Sequence, residues 1–90
     1  MYKVEYTPEA LADFNRLERS EPSAFRKAVG FIEELREHPK TGTGHPELLK
    51  GEPEGRWSRR INKKHRMVYR IFEAKVIVLV ISAYGHYSDK

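Results

Sequence analysis

Trp57-Ser58-Arg59-Arg60-Ile61-Asn62-Lys63-Lys64-His65-Arg66-Met67-Val68-Tyr69-Arg70-Ile71 reads as two strands around a polar turn. β-branched and aromatic side chains recur on both flanks, and Asn62-Lys63-Lys64 supplies the break. A three-residue turn pairs Ile61 with His65 and sets Arg60 opposite Arg66. The period of two then places Ser58, Arg60, Arg66, Val68 and Arg70 on one face, with Trp57, Arg59 and Ile61 on the other. Like charges facing each other across a ladder are destabilising unless something negative lies between them. Two readings stay open: a phosphate clamp on the sheet face, or two solvated arginines splayed apart.

Working outward, Val76-Ile77-Val78-Leu79-Val80-Ile81 is apolar on both faces and β-branched, which suits a central strand covered by helices. At the other end, Tyr2-Lys3-Val4-Glu5-Tyr6 alternates apolar and charged residues, as a half-buried strand does. Thr7-Pro8 follows as an N-cap with proline at the first helical position. Ala10, Leu11, Phe14 and Leu17 form the apolar stripe of a first helix. Ser20 and Pro22 mark the start of a second, with Phe25, Ala28, Val29, Ile32 and Leu35 as its stripe. Pro39 stops it and biases His38 out of the helical region. Residues 41–55 carry four glycines and two prolines and read as a loop, of a length that in a compact domain is usually functional or disordered. The class is α+β: an N-terminal strand, two helices on one face, then a twisted antiparallel sheet.

The whole chain, 90 residues, is the size of one domain, 1–90, since domains run to about 100–200 residues. It contains no cysteine, which excludes a disulfide scaffold, a cysteine-ligated zinc site and a cysteine nucleophile. No apolar run is long enough for a signal peptide or a membrane span, so a cytoplasmic protein without a membrane partner is expected. The net charge of +4 is unevenly spread. Residues 1–45 hold seven basic and eight acidic side chains; residues 46–90 hold ten and five, a net of +5. Seven of those cations lie between Arg56 and Arg70 with no acid among them, and five are arginines, whose planar fork matches phosphate oxygens.

Four pieces taken in order resemble a known family: His45-Pro46-Glu47-Leu48-Leu49-Lys50, Gly55-Arg56-Trp57-Ser58-Arg59-Arg60-Ile61, His65-Arg66-Met67-Val68-Tyr69, and His86-Tyr87. Together they are similar to the YoeB/Txe toxins of the RelE-like toxin–antitoxin superfamily, over nearly the whole chain. The resemblance implies a RelE-like, microbial-ribonuclease-like fold and a ribosome-dependent mRNA endoribonuclease that inhibits translation. It implies as partners mRNA in the ribosomal A site, the 70S ribosome, a cognate YefM/Axe-like antitoxin and a homodimer. Operator DNA would be reached only through the antitoxin complex, since nothing in the chain reads as a DNA-reading helix.

Carried onto this sequence, the resemblance makes Glu47 the general base, His86 the general acid and Arg66 the phosphate-stabilising cation. Lys50, Arg60 and Tyr87 become substrate-binding residues. The residue types suit the chemistry. A base takes the proton of a 2′-hydroxyl, an acid protonates the departing 5′-oxygen, and cations hold the charge growing on the phosphate. Neither metal nor other cofactor is needed, and His38, His45, His65 and His86 are scattered without ligand spacing. The sequence departs from the family's ending: Gly85 precedes His86 where an arginine and an aromatic are usual, and Ser88-Asp89-Lys90 extends beyond it. Trp57 and Tyr69 read as core residues, whereas Tyr84 and Tyr87 are better placed to stack on a base. Two other functions remain open, a non-catalytic RNA- or DNA-binding module and a gyrase-targeting toxin of the same fold; neither needs Glu47 and His86.

Overall fold

The computed structural model describes residues 1–85, and the hairpin has the register expected of it. Trp57 pairs with Tyr69, Ser58 with Val68, Arg59 with Met67 and Arg60 with Arg66. Asn62 builds the turn: its Oδ1 accepts the N–H groups of Lys64 (2.8 Å) and His65 (2.9 Å), in the manner of an Asx turn. The strands are β3 (Trp57–Arg60) and β4 (Arg66–Phe72). Around them lie β1 (Lys3–Tyr6), α1 (Pro8–Ser20), α2 (Pro22–Glu37), β2 (Glu47–Leu48) and β5 (Ile77–Ser82).

The sheet order is β1-β5-β4-β3-β2. Strands β2 to β5 form the antiparallel meander, whereas β1 adds to the edge parallel to β5, so the sheet as a whole is mixed. Strand β5 is internal, with β4 at the centre. The helices cover only one of its faces: Val78 and Val80 are fully buried, while Ile77, Leu79 and Ile81 on the opposite face are half-buried. Among the described residues no helix is long and apolar enough to cross a membrane.

Thr7 caps α1 as its sequence requires. Its Oγ1 accepts the Ala10 N–H at 3.0 Å, and the same hydroxyl donates to the Ile81 carbonyl at 2.7 Å, pinning the helix start to β5. Ser20 does not cap α2; α1 runs on through it, and its hydroxyl is satisfied by the Arg16 carbonyl one turn back. Glu21 is the junction, held extended by the proline that follows. The buried stripes also differ in detail. Leu11 is 53% exposed and Val29 39%, while Phe31 is buried at 1%. The buried arc of α2 is centred on Ala28, Phe31 and Leu35, rotated by one residue from the expected stripe. Ala10, Leu17, Ala28, Phe31 and Leu35 close over Ile61, Met67, Tyr69, Val78 and Val80 to form the core.

The 41–55 segment is not loop throughout. Glu47 and Leu48 form two rungs with Ser58 and Trp57, and the Leu49 N–H donates to the Arg56 carbonyl at 2.9 Å. Two residues are too few for a periodicity signal, so the strand exists through its pairing with β3 and not through local propensity.

Candidate active site

Backbone geometry at the Arg60–Arg66 pair organises the site. The Arg60 N–H leaves the β3–β4 ladder and donates to the Gly44 carbonyl at 2.7 Å; the Arg66 N–H leaves it on the other side and donates to the Gly85 carbonyl at 2.9 Å. Arg60 and Arg66 are therefore a non-hydrogen-bonded pair, the close kind, with Cβ atoms about 5 Å apart. The two guanidinium-bearing residues sit between the segment leading into Glu47 and the residue preceding His86 in sequence. Arg60 is exposed, and among the described residues its side chain has no partner. Arg66 is half-buried and its Nη1 donates to the Ser58 Oγ at 3.1 Å.

Glu47 lies directly opposite Ser58 across the β2–β3 rung and so projects from the same face as Ser58, Arg60 and Arg66. Its side chain is exposed. From β2 to β4 there are two inter-strand steps of about 4.8 Å each, and Arg66 lies two residues along β4 from the rung of Glu47, so the backbones bearing the two are about 12 Å apart. Lys50 lies exposed in the β2–β3 connection. His86 and Tyr87 lie outside the described residues. The structure thus brings together Glu47, Arg60 and Arg66, and adds Ser58, which orients Arg66.

Not every cation of the basic stretch belongs to this face. Arg59 is fully buried on the helix side of the sheet. Its guanidinium donates to Glu34, to the carbonyls of Thr43 (3.2 Å), His38 (2.8 Å) and Thr41 (2.7 Å), and through Nε to the Tyr69 hydroxyl (3.2 Å). The Tyr69 hydroxyl donates its own proton to the Pro39 carbonyl at 2.8 Å. Burial pushes the Glu34 carboxyl up, but the Thr43 hydroxyl and amide and the Arg59 guanidinium outweigh that and hold it below the ordinary carboxylate range. Arg59 therefore fastens residues 38–43, which precede Gly44 and Glu47. Its place beside Trp57 and Ile61 in the strand alternation was the sign of this role, since a cation on the apolar face must be buried and paired. Arg56 is bound to Glu54 at 3.1 Å and Lys64 lies 3.7 Å from Glu21. Arg70, farther along β4 on the Arg66 face, lies over the Phe72 ring at 4.4 Å, with its Nε buried and without a hydrogen-bond partner among the described residues.

Tyr84 is not an open stacking platform. One side of its ring meets His65 with centroids 4.2 Å apart, and Arg16 lies over the ring at 3.9 Å. Trp57 and Tyr69 are in or against the core, as their strand positions require. Among the described residues no group of His, Asp and Glu side chains could hold a metal ion.

The family whose model matches residues 6–87 is described as the YoeB-like toxin of a bacterial type II toxin–antitoxin system. A toxin YoeB from Mycobacterium bovis is 38% identical over 79 residues, covering 88% of this chain and 93% of the relative. Among solved structures, a YoeB/ParE toxin from Agrobacterium tumefaciens superposes with a TM-score of 0.86 at 34% identity, covering 94% of this chain and 99% of that one. A heterotetrameric YoeB–YefM toxin–antitoxin complex from Staphylococcus aureus contains a chain with a TM-score of 0.79 at 26% identity, covering 97% of this chain and 99% of that one. With the strand order, the helix pair and the sequence similarity in agreement over almost its full length, the chain belongs to the YoeB-like toxins of bacterial type II toxin–antitoxin systems.

Proposed function

We propose that this toxin is a ribosome-dependent mRNA endoribonuclease acting in the cytoplasm as a single domain, and that it cuts RNA by metal-free acid–base chemistry. The observation that carries the reading is the shared face on which Glu47, Ser58, Arg60 and Arg66 meet. Glu47 takes the proton of the substrate 2′-hydroxyl, whose oxygen attacks the adjacent phosphorus. Arg66, steadied by Ser58, and Arg60 hold the charge that builds on the non-bridging oxygens. The 5′-oxygen leaves with a proton from His86, and the other product ends in a 2′,3′-cyclic phosphate. Lys50 and Tyr87 bind the flanking nucleotides. Two facing arginines, with no carboxylate between them among the described residues, are an unfavourable arrangement that a phosphate makes favourable.

Glu47 is exposed on a two-residue edge strand, so the free protein holds its base loosely. In this reading the mRNA, held in the ribosomal A site of the 70S particle, completes the site by positioning. A YefM/Axe-like antitoxin neutralises the toxin, contact with operator DNA runs through that complex, and the toxin forms a homodimer.

The test is to map cuts on mRNA in translating ribosomes with the wild-type protein, Glu47→Ala and Arg66→Ala. Loss of the base lowers single-turnover cleavage about 10²–10⁴-fold, and loss of Arg66 about 10²–10³-fold. Cleavage undiminished in Glu47→Ala refutes the assignment. Equal rates on naked and ribosome-bound RNA refute ribosome dependence.

A further inference from the structure

His65 is 3% exposed, and both of its ring nitrogens are engaged. Nδ1 accepts the Gly85 N–H at 2.9 Å, and Nε2 meets the Glu21 carboxylate at 2.7 Å. A nitrogen that accepts an N–H carries no proton of its own, so the proton of the neutral ring sits on Nε2 and is donated to Glu21. That bond holds the Glu21 carboxyl below its ordinary range, against the partial burial that pushes it up. One ring thus joins the α1–α2 junction to the last described residue of the chain, and does so in a single tautomer.

The same three residues, Ala83 to Gly85, are held at every step. The Ala83 N–H donates to Asp13 at 2.8 Å. Tyr84 lies between the His65 ring and the Arg16 guanidinium. The Gly85 carbonyl accepts the Arg66 N–H at 2.9 Å while its own N–H is on His65. Gly85 is therefore bracketed by two consecutive residues: the ring of His65 and the backbone of Arg66. A residue held at both its N–H and its C=O has little rotational freedom left, even though Gly85 sits at φ +80°.

We propose that His65, with Glu21 as the partner that fixes its tautomer, is a positioning residue that seats residues 83–85 against Arg66. Gly85 is followed in sequence by His86, the acid of the proposed reaction, and for that consequence the proposal rests on the ribonuclease reading. Seating matters because a proton donor misplaced by about 1 Å costs on the order of 10²-fold in rate.

Two substitutions separate the functions of the ring. Asparagine carries its Oδ1 where histidine carries Nδ1, so His65→Asn keeps an acceptor for Gly85 and gives up Glu21. Glutamine carries its Nε2 where histidine carries Nε2, so His65→Gln keeps a donor for Glu21 and gives up the acceptor. The experiment reads three quantities. Nitrogen-15 spectra of the wild-type ring report which nitrogen is protonated, amide exchange reports the Gly85 N–H, and single-turnover cleavage on programmed ribosomes separates kcat from KM.

The proposal requires an unprotonated Nδ1 and a slowly exchanging Gly85 amide at neutral pH in the wild type. It requires that His65→Gln lose both the amide protection and about 10–100-fold in kcat with KM little changed, and that His65→Asn retain the protection and cleave within several-fold of wild type. A protonated Nδ1, an unprotected Gly85 amide, or equal kcat losses in the two variants overturns it. A wild-type protein that cuts no RNA defeats the ribonuclease reading instead, and the spectra and amide exchange still decide whether His65 seats the segment.

Discussion

Replacing Arg59 by methionine is the most demanding perturbation of this fold. The side chain is fully buried and its guanidinium serves five oxygen acceptors: Glu34, the carbonyls of His38, Thr41 and Thr43, and the Tyr69 hydroxyl. Methionine fills the aliphatic part of the space and satisfies none of them. Breaking a buried ion pair by removing one partner costs about 3–5 kcal/mol. Here the lower end applies. Glu34 is 31% exposed and regains water, and the three carbonyls belong to a surface segment that can rehydrate by peeling away.

A loss of about 3 kcal/mol is a large part of the roughly 5–13 kcal/mol expected of a chain this long. At about 4–8 °C per kcal/mol, Tm falls by on the order of 20 °C. Arg59→Lys keeps the charge but offers three donors for five acceptors. It gives up about two bonds worth roughly 1 kcal/mol each. Urea unfolding gives these differences directly. Amide exchange at Arg60, whose N–H is bonded to the Gly44 carbonyl, reports whether the 38–44 segment opens before the rest. Both substitutions leave the surface arginines in place. An Arg59→Met protein within about 1 kcal/mol of wild type would mean that desolvation cancels the five bonds. The segment leading to Glu47 would then be held by something else.

Two other outcomes follow from the same contacts. Glu34, Glu21 and Glu73, the last held by the Tyr2 hydroxyl at 2.7 Å and the Lys40 ammonium at 3.2 Å, all have folded-state pKa values below the ordinary 4.5, so each contributes stability that is complete above that pH and is lost as pH falls through the lowered values. The urea midpoint should decline on acidification below about pH 4.5, and Glu34→Gln should flatten that decline; an unchanged slope counts against the Glu34 assignment. Gly44→Ala places a Cβ against the Phe31 ring at φ +80°, where both the space and the backbone exclude it. Because Gly44 also accepts the Arg60 N–H, a loss of about 2 kcal/mol or more is expected in thermal unfolding. A wild-type Tm would show that the chain has no need of this close approach.

Much of this architecture is legible in the residues because local chemistry and tertiary structure agree there. The Asn62 turn, the Thr7-Pro8 helix start, the Pro39 stop and the Arg60–Arg66 register each depend on a short-range rule that nothing overrides. What escapes the sequence is set by partners far along the chain. Strand β2 is two residues long and exists because β3 offers it an edge. Leu11 and Val29 carry the right periodicity, but which flank of a helix is covered depends on the sheet beneath it. The parallel docking of β1 on β5 joins residues more than seventy positions apart. For the site, strand alternation puts Glu47 on a common face with Arg60 and Arg66 only once β2 is recognised as a strand.

Arg59 and Arg60 are neighbours with the same side chain and opposite work, and the alternation of a single strand separates them. Arg59 points to the helices and spends its donors on the protein's own oxygens. Arg60 points away and faces Arg66, with no carboxylate between them among the described residues. The basic count of the stretch therefore overstates the charge available to a ligand: one cation is internal, and Arg56 and Lys64 lie beside Glu54 and Glu21. Of the four cations that remain, Lys63 lies in the turn and Arg70 farther along β4, while Arg60 and Arg66 form one close, non-hydrogen-bonded pair whose backbone amides hold the two segments flanking it. A pair of that kind favours a single phosphate at a defined place over diffuse attraction to any polyanion. That is what the proposed cleavage of one phosphodiester bond requires.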